Sequence, residues 1–370
     1  MEIYRHRGKL RQTRHALDAG KITIGFIGGS ITDPRPGWNW PEPVCAWFVE
    51  NYPNVCVQVE NAAIGATGSD LAVFRAERDL IERGCDLVFV EYAVNDEGVA
   101  SERRFHSREG LLRKLLRGEG CDIVLTYTYS QGMHADMIQG TVPPSIAEFE
   151  QLAGHYQIGS VWMGLHALRE VQKGRMRWEE WLPDGLHPNL RGSFSYAQSV
   201  IGFLEKELLT NASEIDILCG QKLPAALHAR NWENTRLISL AEIERQGPWS
   251  IHRWPHSASI DQVLYTAAPG ARLKFGFEGR GLVLGMDFGK ASAEYRYRLD
   301  GGRWCRSGLD RPDWVGAGGW YRLSLIADDL NTGQHTFELE TMHGNPSGDG
   351  SRASYYTGTN FKLALVGVIG

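Results

Sequence analysis

Over about the first 209 residues, short runs of β-branched and apolar side chains alternate with longer stretches whose apolar positions recur every three or four residues. The short runs predict strands at Ile22–Ile27, Val55–Glu60, Asp86–Tyr92 and Asp122–Tyr127, with a weaker one near Gly159–Met163. The longer stretches predict helices at Pro41–Asn51, Ser69–Glu82, Arg103–Leu116, Pro144–Tyr156 and Asn189–Leu209. Strands separated by helices need crossover connections, and crossovers force a mainly parallel sheet covered on both faces. A three-layer α/β/α sandwich is therefore expected over residues 1–209.

The helical period then fades. From about Trp249 to Gly370, runs such as "ARLKFGFEG", "GLVLGMDF", "YRLSLIA" and "FKLALVGVI" are divided by Gly, Asp, Asn and Pro turns with no helices between them. That spacing predicts an all-β sandwich, jelly-roll-like, over 249–370. Between the two, the segment "LPAALHARNWENTRLISL" mixes apolar anchors, Leu223, Leu227 and Trp232, with polar residues. A flexible tether would be rich in Gly and Ser, so residues 210–248 are expected to be a connector packed on a surface. The total of 370 residues suits two hydrophobic cores better than one.

Composition narrows the class. A net charge of −5 with scattered Lys and Arg leaves no footprint for a nucleic-acid backbone. No apolar run approaches the ~20 residues of a membrane span, and the basic N-terminus lacks the apolar core of a signal peptide. A cytoplasmic protein is expected, with homo-oligomer formation left open. The cysteines are far apart and include no CxxC, so they are expected to be buried thiols rather than a zinc site or a disulfide framework.

Candidate chemistry begins at "ITIGFIGGSITDPRPGWNWP", where the first strand ends in two glycines and a serine. A dinucleotide fingerprint wants GxGxxG and a phosphate loop wants GxxxxGK[ST], and neither fits here. Ligands of open α/β sheets bind at the carboxyl ends of strands, which is where Ser30 falls. Gly28 and Gly29 would let the backbone turn sharply and leave room for a carbonyl near the Ser30 N–H. A serine nucleophile needs a base, and "LPDGLHPN" supplies Asp184 three residues before His187. At that spacing the carboxylate can hydrogen-bond Nδ1 and turn Nε2 toward the serine. Two more segments follow strands on the same rim: "NAAIGATGSD" with Gly65 and "EYAVND" with Asn95, whose backbone and side-chain N–H groups could meet an oxyanion.

The segments "GGSIT", "NAAIGATGS", "AVND" and "DGLHPN" resemble the sequence blocks of the SGNH (GDSL-like) hydrolase superfamily. The resemblance covers about residues 21–209 and implies a flavodoxin-like hydrolase fold. It also implies Ser30 as nucleophile, Asp184 and His187 as the other triad members, and Ser30, Gly65 and Asn95 as oxyanion donors. No cofactor or metal is implied. Where the family reads Gly-Asp-Ser, this chain has Gly28-Gly29-Ser30, which bears on subfamily and local hydrogen bonding rather than on the triad.

Other residues at the rim are expected to be structural. Asp96 and Glu97 read as turn caps, as do Asp33 and Ser69, while Glu91, inside an apolar strand, must be paired or protonated and is a candidate support for the Asn95 loop. Trp38, Trp40 and Trp181 are candidate substrate contacts because aromatic faces suit sugar rings; Trp178 shares the region. A β-sandwich appended to such a domain is similar to the layout of some carbohydrate O-acetyl esterases, an analogy of architecture. The expected function is a serine esterase removing a small acyl group, acetyl foremost, from carbohydrate. The alternatives are a lipid or thioester hydrolase of the same superfamily and an inactive carbohydrate-binding protein.

Overall fold

In the computed structural model, the described residues are all but 34–38, 118–119, 211–222, 256, 258, 317 and 345–357. The chain divides into two compact units, Met1–Glu233 and Asn234–Gly370. None of the helices among the described residues is long and apolar enough to cross a membrane.

The first unit is built on a sheet whose middle strands are apolar on both faces because helices cover both. Its elements run β1 (Tyr4–Arg5), α1 (Arg11–Asp18), β2 (Lys21–Gly28), α2 (Pro41–Asn51), β3 (Cys56–Asn61), α3 (Ser69–Ala76), β4 (Leu87–Glu91) and α4 (Ser101–Leu115). They continue with β5 (Asp122–Thr126), α5 (His134–Ile138), α6 (Pro144–Tyr156), β6 (Gly159–Val161), α7 (Met163–Gln172), α8 (Trp178–Trp181) and α9 (Leu190–Leu204). The strand order is β1-β6-β5-β4-β2-β3, parallel throughout except for the short antiparallel edge strand β1. In β2 every residue after Lys21 is buried, and β4 is buried along its whole length. That accounts for continuous apolar runs where an exposed sheet would alternate.

The expected strands and long helices are present with shifted ends. The stretch predicted as one helix over Ser69–Glu82 is α3 followed by a π-helical turn, Glu77–Ile81, and α9 likewise gives way to π-helix at Glu205. The sequence pattern did not signal α1, a polar helix that buries only Thr13, Ala16 and Leu17. It ran the weak strand on to Met163, where β6 ends at Val161, and did not signal α7, which begins at Met163.

The second unit has two antiparallel sheets. Its strands are β7 (Thr235–Ile238), β8 (Glu244–Gln246), β9 (Ser250–His252), β10 (Val263–Thr266), β11 (Arg272–Gly279), β12 (Gly281–Asp287), β13 (Glu294–Leu299), β14 (Cys305–Arg306), β15 (Tyr321–Ala327), β16 (Gly333–Met342) and β17 (Phe361–Ile369). One sheet runs β15-β12-β17-β10-β9 with β7 on β17, and the other runs β14-β13-β16-β11-β8. Strand β11 alternates exposed and buried residues strictly, so one face meets water and the other the core. Leu273, Phe275, Phe277, Phe337 and Leu339 from one sheet meet Leu264, Leu284, Leu363 and Val366 from the other in a single apolar cluster, as in a sandwich.

The expected connector, 210–248, is divided between the units. Residues 235–248 already carry β7 and β8, while residues 223–233 belong to the first unit. There Trp232 is fully buried against Phe74, and its backbone crosses Gly110, where a Cβ would lie 2.5 Å from Trp232 C. Leu227 is exposed; its N–H and that of His228 instead donate to the buried Glu109 carboxylate at 2.6 and 2.8 Å. Anchoring here is as much polar as apolar.

Candidate active site

Strand β2 ends at Gly28, and the chain turns at once: the N–H groups of Thr32 and Asp33 both donate to Gly29 O, at 3.1 and 3.0 Å. This places Ser30, half-buried, at the carboxyl end of a central strand. Ser30 Oγ lies 2.8 Å from His187 Nε2, and His187 Nδ1 lies 2.8 Å from Asp184 Oδ2. A carboxylate only accepts, so Nδ1 carries the hydrogen and Nε2 is left to accept from the serine. The spacing expected to join Asp184 to His187 does join them, and His187 meets the serine 157 residues away.

The loop bearing these two groups is held mostly by itself. Asp184 Oδ1 accepts the N–H groups of Leu186 and His187 at 2.9 and 2.7 Å, an Asx turn that sets the carboxylate before it reaches the imidazole. Gly185 has φ 79, a left-handed conformation that glycine adopts without cost. Asn189 then caps α9, accepting from Arg191 and Gly192 N–H. Burial pushes the Asp184 carboxyl up, but hydrogen bonds from the His187 ring and from the His187 and Leu186 backbone outweigh it and hold the group below its ordinary range. It is therefore ionised at neutral pH and suited to stabilise an imidazolium.

The turn at Ser30, by contrast, is tied to two other segments. Ile64 N–H donates to Gly28 O at 3.0 Å and Asn61 Nδ2 to Thr32 O at 2.9 Å, bringing the loop with Gly65 alongside; Ala66 in that loop has φ 57. The Asn95 carboxamide presses on Gly29 so closely that a Cβ there would lie 2.5 Å from Asn95 Cγ and 2.7 Å from Nδ2. This contact gives a physical reason for Gly29 where an aspartate was the family expectation. Asn95 is kept in place by its neighbour: Asp96, 1% exposed, accepts Ser69 N–H at 2.9 Å and Arg108 Nε at 2.8 Å, and Arg108 in turn donates to Ser145 O and Oγ. Asp96 thus caps the start of α3 from across the loop. Ser69 caps nothing with its own side chain, which instead bonds Ser107 Oγ.

Beneath the turn sits Glu91, the last residue of β4 and fully buried. It accepts from Thr32 Oγ1 at 3.1 Å and from Thr128 Oγ1 at 2.8 Å, and the Gly29 N–H nearby favours its charged form. Desolvation pushes its carboxyl up to about 7, and the hydrogen bonds from Thr128, Thr32 and Gly29 keep it from rising further. Sequence reasoning found Glu91 but not Thr128, whose only signal was its place just beyond the end of β5.

The tryptophan expectations need correction. Trp40 and Trp181 have 0% exposure, so neither offers a face to a ligand. Trp40 stacks edge-on against Phe26 and Phe89 and donates Nε1–H to Thr32 Oγ1 at 3.1 Å; Trp181 packs among Tyr129, Trp178 and Tyr196. Both support the turn and the loop from within the core. Trp178 is half-exposed, against Tyr129 and His134, and Trp38 lies outside the described residues.

No protein-family model and no curated protein sequence matches the chain. Among solved structures, the crystal structure of a two-domain esterase active on acetylated mannans, co-crystallized with mannopentaose, aligns with a TM-score of 0.79 at 22% identity over 99% of this chain and 96% of that one. A second crystal structure of a two-domain esterase active on acetylated mannans gives the same TM-score and coverage at 23% identity. The chain shares that esterase's two-domain fold. An α/β sandwich followed by a β-sandwich is thus a combination seen before, as its hydrophobic pattern implies.

Proposed function

We propose that this protein is a serine esterase that removes small acyl groups, acetyl foremost, from carbohydrate. The observation that carries the reading is the line from Ser30 Oγ through the His187 ring to Asp184, with both hydrogen-bond distances at 2.8 Å, at the carboxyl ends of a parallel sheet. In the first step Ser30 Oγ bonds to the ester carbonyl carbon while its proton passes to His187 Nε2. The carbonyl oxygen becomes an oxyanion, met by the N–H groups of Ser30 and Gly65 and by Asn95 Nδ2. The sugar hydroxyl leaves with the proton from His187, and an acyl-serine remains. Water then attacks the acyl carbon, giving its proton to His187; the carboxylic acid departs and Ser30 recovers its hydrogen. Asp184 holds the imidazole in the tautomer both steps need and stabilises its charged form.

Carbohydrate as the acyl carrier is supported by the fold shared with an esterase active on acetylated mannans. The test is acetate release from acetylated mannooligosaccharides and acetylated xylooligosaccharides, beside p-nitrophenyl acetate, butyrate and octanoate. The expected order on the aryl esters is acetate over butyrate over octanoate, with turnover of at least one acetylated saccharide. A preference for octanoate would make this a lipid or thioester hydrolase, and no ester turnover at all would leave a binding protein.

A further inference from the structure

We propose that the Glu91 carboxylate is a positioning residue for the nucleophile, gripping the Ser30 turn from below through the Thr32 hydroxyl, with the Gly29 N–H nearby. The inference rests on the reading of Ser30 as nucleophile. Its ground is the direction in which each hydrogen must point. Gly29 N–H can only donate. Trp40 Nε1–H can only donate too, and it fills an acceptor position on Thr32 Oγ1 at 3.1 Å, leaving the Thr32 proton for Glu91 Oε2, also at 3.1 Å. Thr128 Oγ1 adds a second hydroxyl donor at 2.8 Å from Oε1. Two hydroxyl donors converging on one buried side chain, with a backbone N–H nearby, form a socket for an acceptor.

The socket has the right place to matter. Thr32 lies two residues beyond Ser30 and its N–H donates to Gly29 O, so a carboxylate holding the Thr32 hydroxyl steadies the turn that carries the nucleophile. Displacing a reacting group by ~1 Å can cost about 10²-fold in rate. The titratable groups facing Glu91 are Asp96 from the same loop, whose negative charge opposes that of Glu91, the adjacent Tyr92, and Tyr196 from α9. Asp96 is itself paired with Arg108, whereas the hydroxyl donors to Glu91 are uncharged. Burial pushes the Glu91 carboxyl up to about 7, so it changes charge near neutral pH.

The experiment is covalent labelling by an alkyl fluorophosphonate, in which Ser30 Oγ attacks phosphorus and fluoride leaves, followed by intact-mass spectrometry over pH 5 to 9. Four proteins are compared: wild type, Glu91→Gln, Glu91→Met and Thr32→Val, each checked for folding by circular dichroism. Glu91→Met, which keeps the length but offers no oxygen, is expected to label about 10²-fold more slowly than wild type. Glu91→Gln, with one oxygen left, should fall between them. The acid limb of log rate against pH should be steeper in wild type than in Glu91→Gln, which lacks one of the groups that must lose a proton. Glu91→Met labelling within about threefold of wild type, or acid limbs of equal steepness in wild type and Glu91→Gln, would overturn the proposal. If neither Glu91 variant folds, Thr32→Val decides: a rate within threefold of wild type sinks the idea, and a loss of tenfold or more upholds it. Wild type that takes no label at Ser30 would instead sink the esterase reading, and this inference with it.

Discussion

The two halves of the candidate site are made in opposite ways. The Ser30 turn is welded to the sheet, with hydrogen bonds or close contacts to the end of β3 and the segments after β3 and β4, and beneath it a buried carboxyl that Thr128 also holds. The loop carrying Asp184 and His187 is local and open, with 55% and 36% of those two side chains exposed, and its hydrogen bonds run mainly among residues 182 to 192. A nucleophile has to keep its attack direction to a fraction of an ångström, which tertiary packing can enforce. A base has to exchange protons with substrate and water, which exposure permits. Damage to the turn should therefore spread to its neighbours, whereas damage to the loop should stay local.

The largest expected effect comes from removing the groups themselves. Ser30→Ala and His187→Ala should each cut esterase kcat on the order of 10⁴-fold or more, because triad members act as a unit, with unfolding temperatures close to wild type. Retention of more than about a tenth of wild-type rate by either variant would remove that residue from the triad. Asp184→Ala tests the local character of the loop. It should lose about 10⁴-fold in rate, and its Asx turn as well, while the Ser30 side stays intact. If Asp184→Ala instead unfolded the first unit, the loop would be structural to a degree that its exposure does not suggest.

A smaller contrast compares one glycine on each side. Alanine at Gly29 would drive Cβ into the Asn95 carboxamide, whose chain neighbour Asp96 is fixed by Arg108, so the turn or Asn95 must move. Alanine at Gly185 meets only the end of the exposed Gln131 side chain, 2.9 Å from Oε1, and pays ~1 to 2 kcal/mol for a left-handed φ of 79. Gly29→Ala should lower kcat by roughly 10² or more, as expected for a displaced oxyanion donor. Gly185→Ala should cost stability and little of kcat. Equal kcat losses in the two variants would erase the distinction drawn between turn and loop.

How much of this could be read from sequence follows the same division. Asp184, Gly185, His187 and Asn189 interact within a few residues, so the loop's order in the chain is nearly its order in space. The placing of Ser30, Gly65 and Asn95 beyond strand ends was legible because parallel strands deliver their carboxyl ends to one rim. The grip of Glu91 was not legible, since it depends on hydroxyls from two other strand ends and on which way an indole N–H points. Trp40 and Trp181 were misjudged for a related reason: proximity in sequence to a site says nothing about which face of the chain an indole covers, and both turned inward to prop the turn and the loop. The helix Arg11–Asp18 escaped notice because it is polar almost all round.

The smallest expected effect concerns stability against pH, and it bears on the cost of the welded turn. Glu91 moves from an ordinary value of 4.5 to about 7 on folding, because burial disfavours its charge. The folded chain therefore binds this proton more tightly than the unfolded chain does. The associated stability is fully present below pH 4.5 and is lost as pH rises through about 7. A shift of this size corresponds to about 3 kcal/mol. Urea unfolding of wild type and Glu91→Gln at pH 5 and pH 8 isolates it, since other ionisations cancel between the two proteins. The free-energy difference should move by about 2 to 3 kcal/mol in favour of Glu91→Gln between the lower and the higher pH. No movement would mean that Glu91 keeps the same charge across this range, and the steeper acid limb proposed for wild type would lose its cause. If the movement appears together with slower labelling, the form of Glu91 that aligns Ser30 is also the form that weakens the fold, so this turn would hold its geometry at the expense of stability.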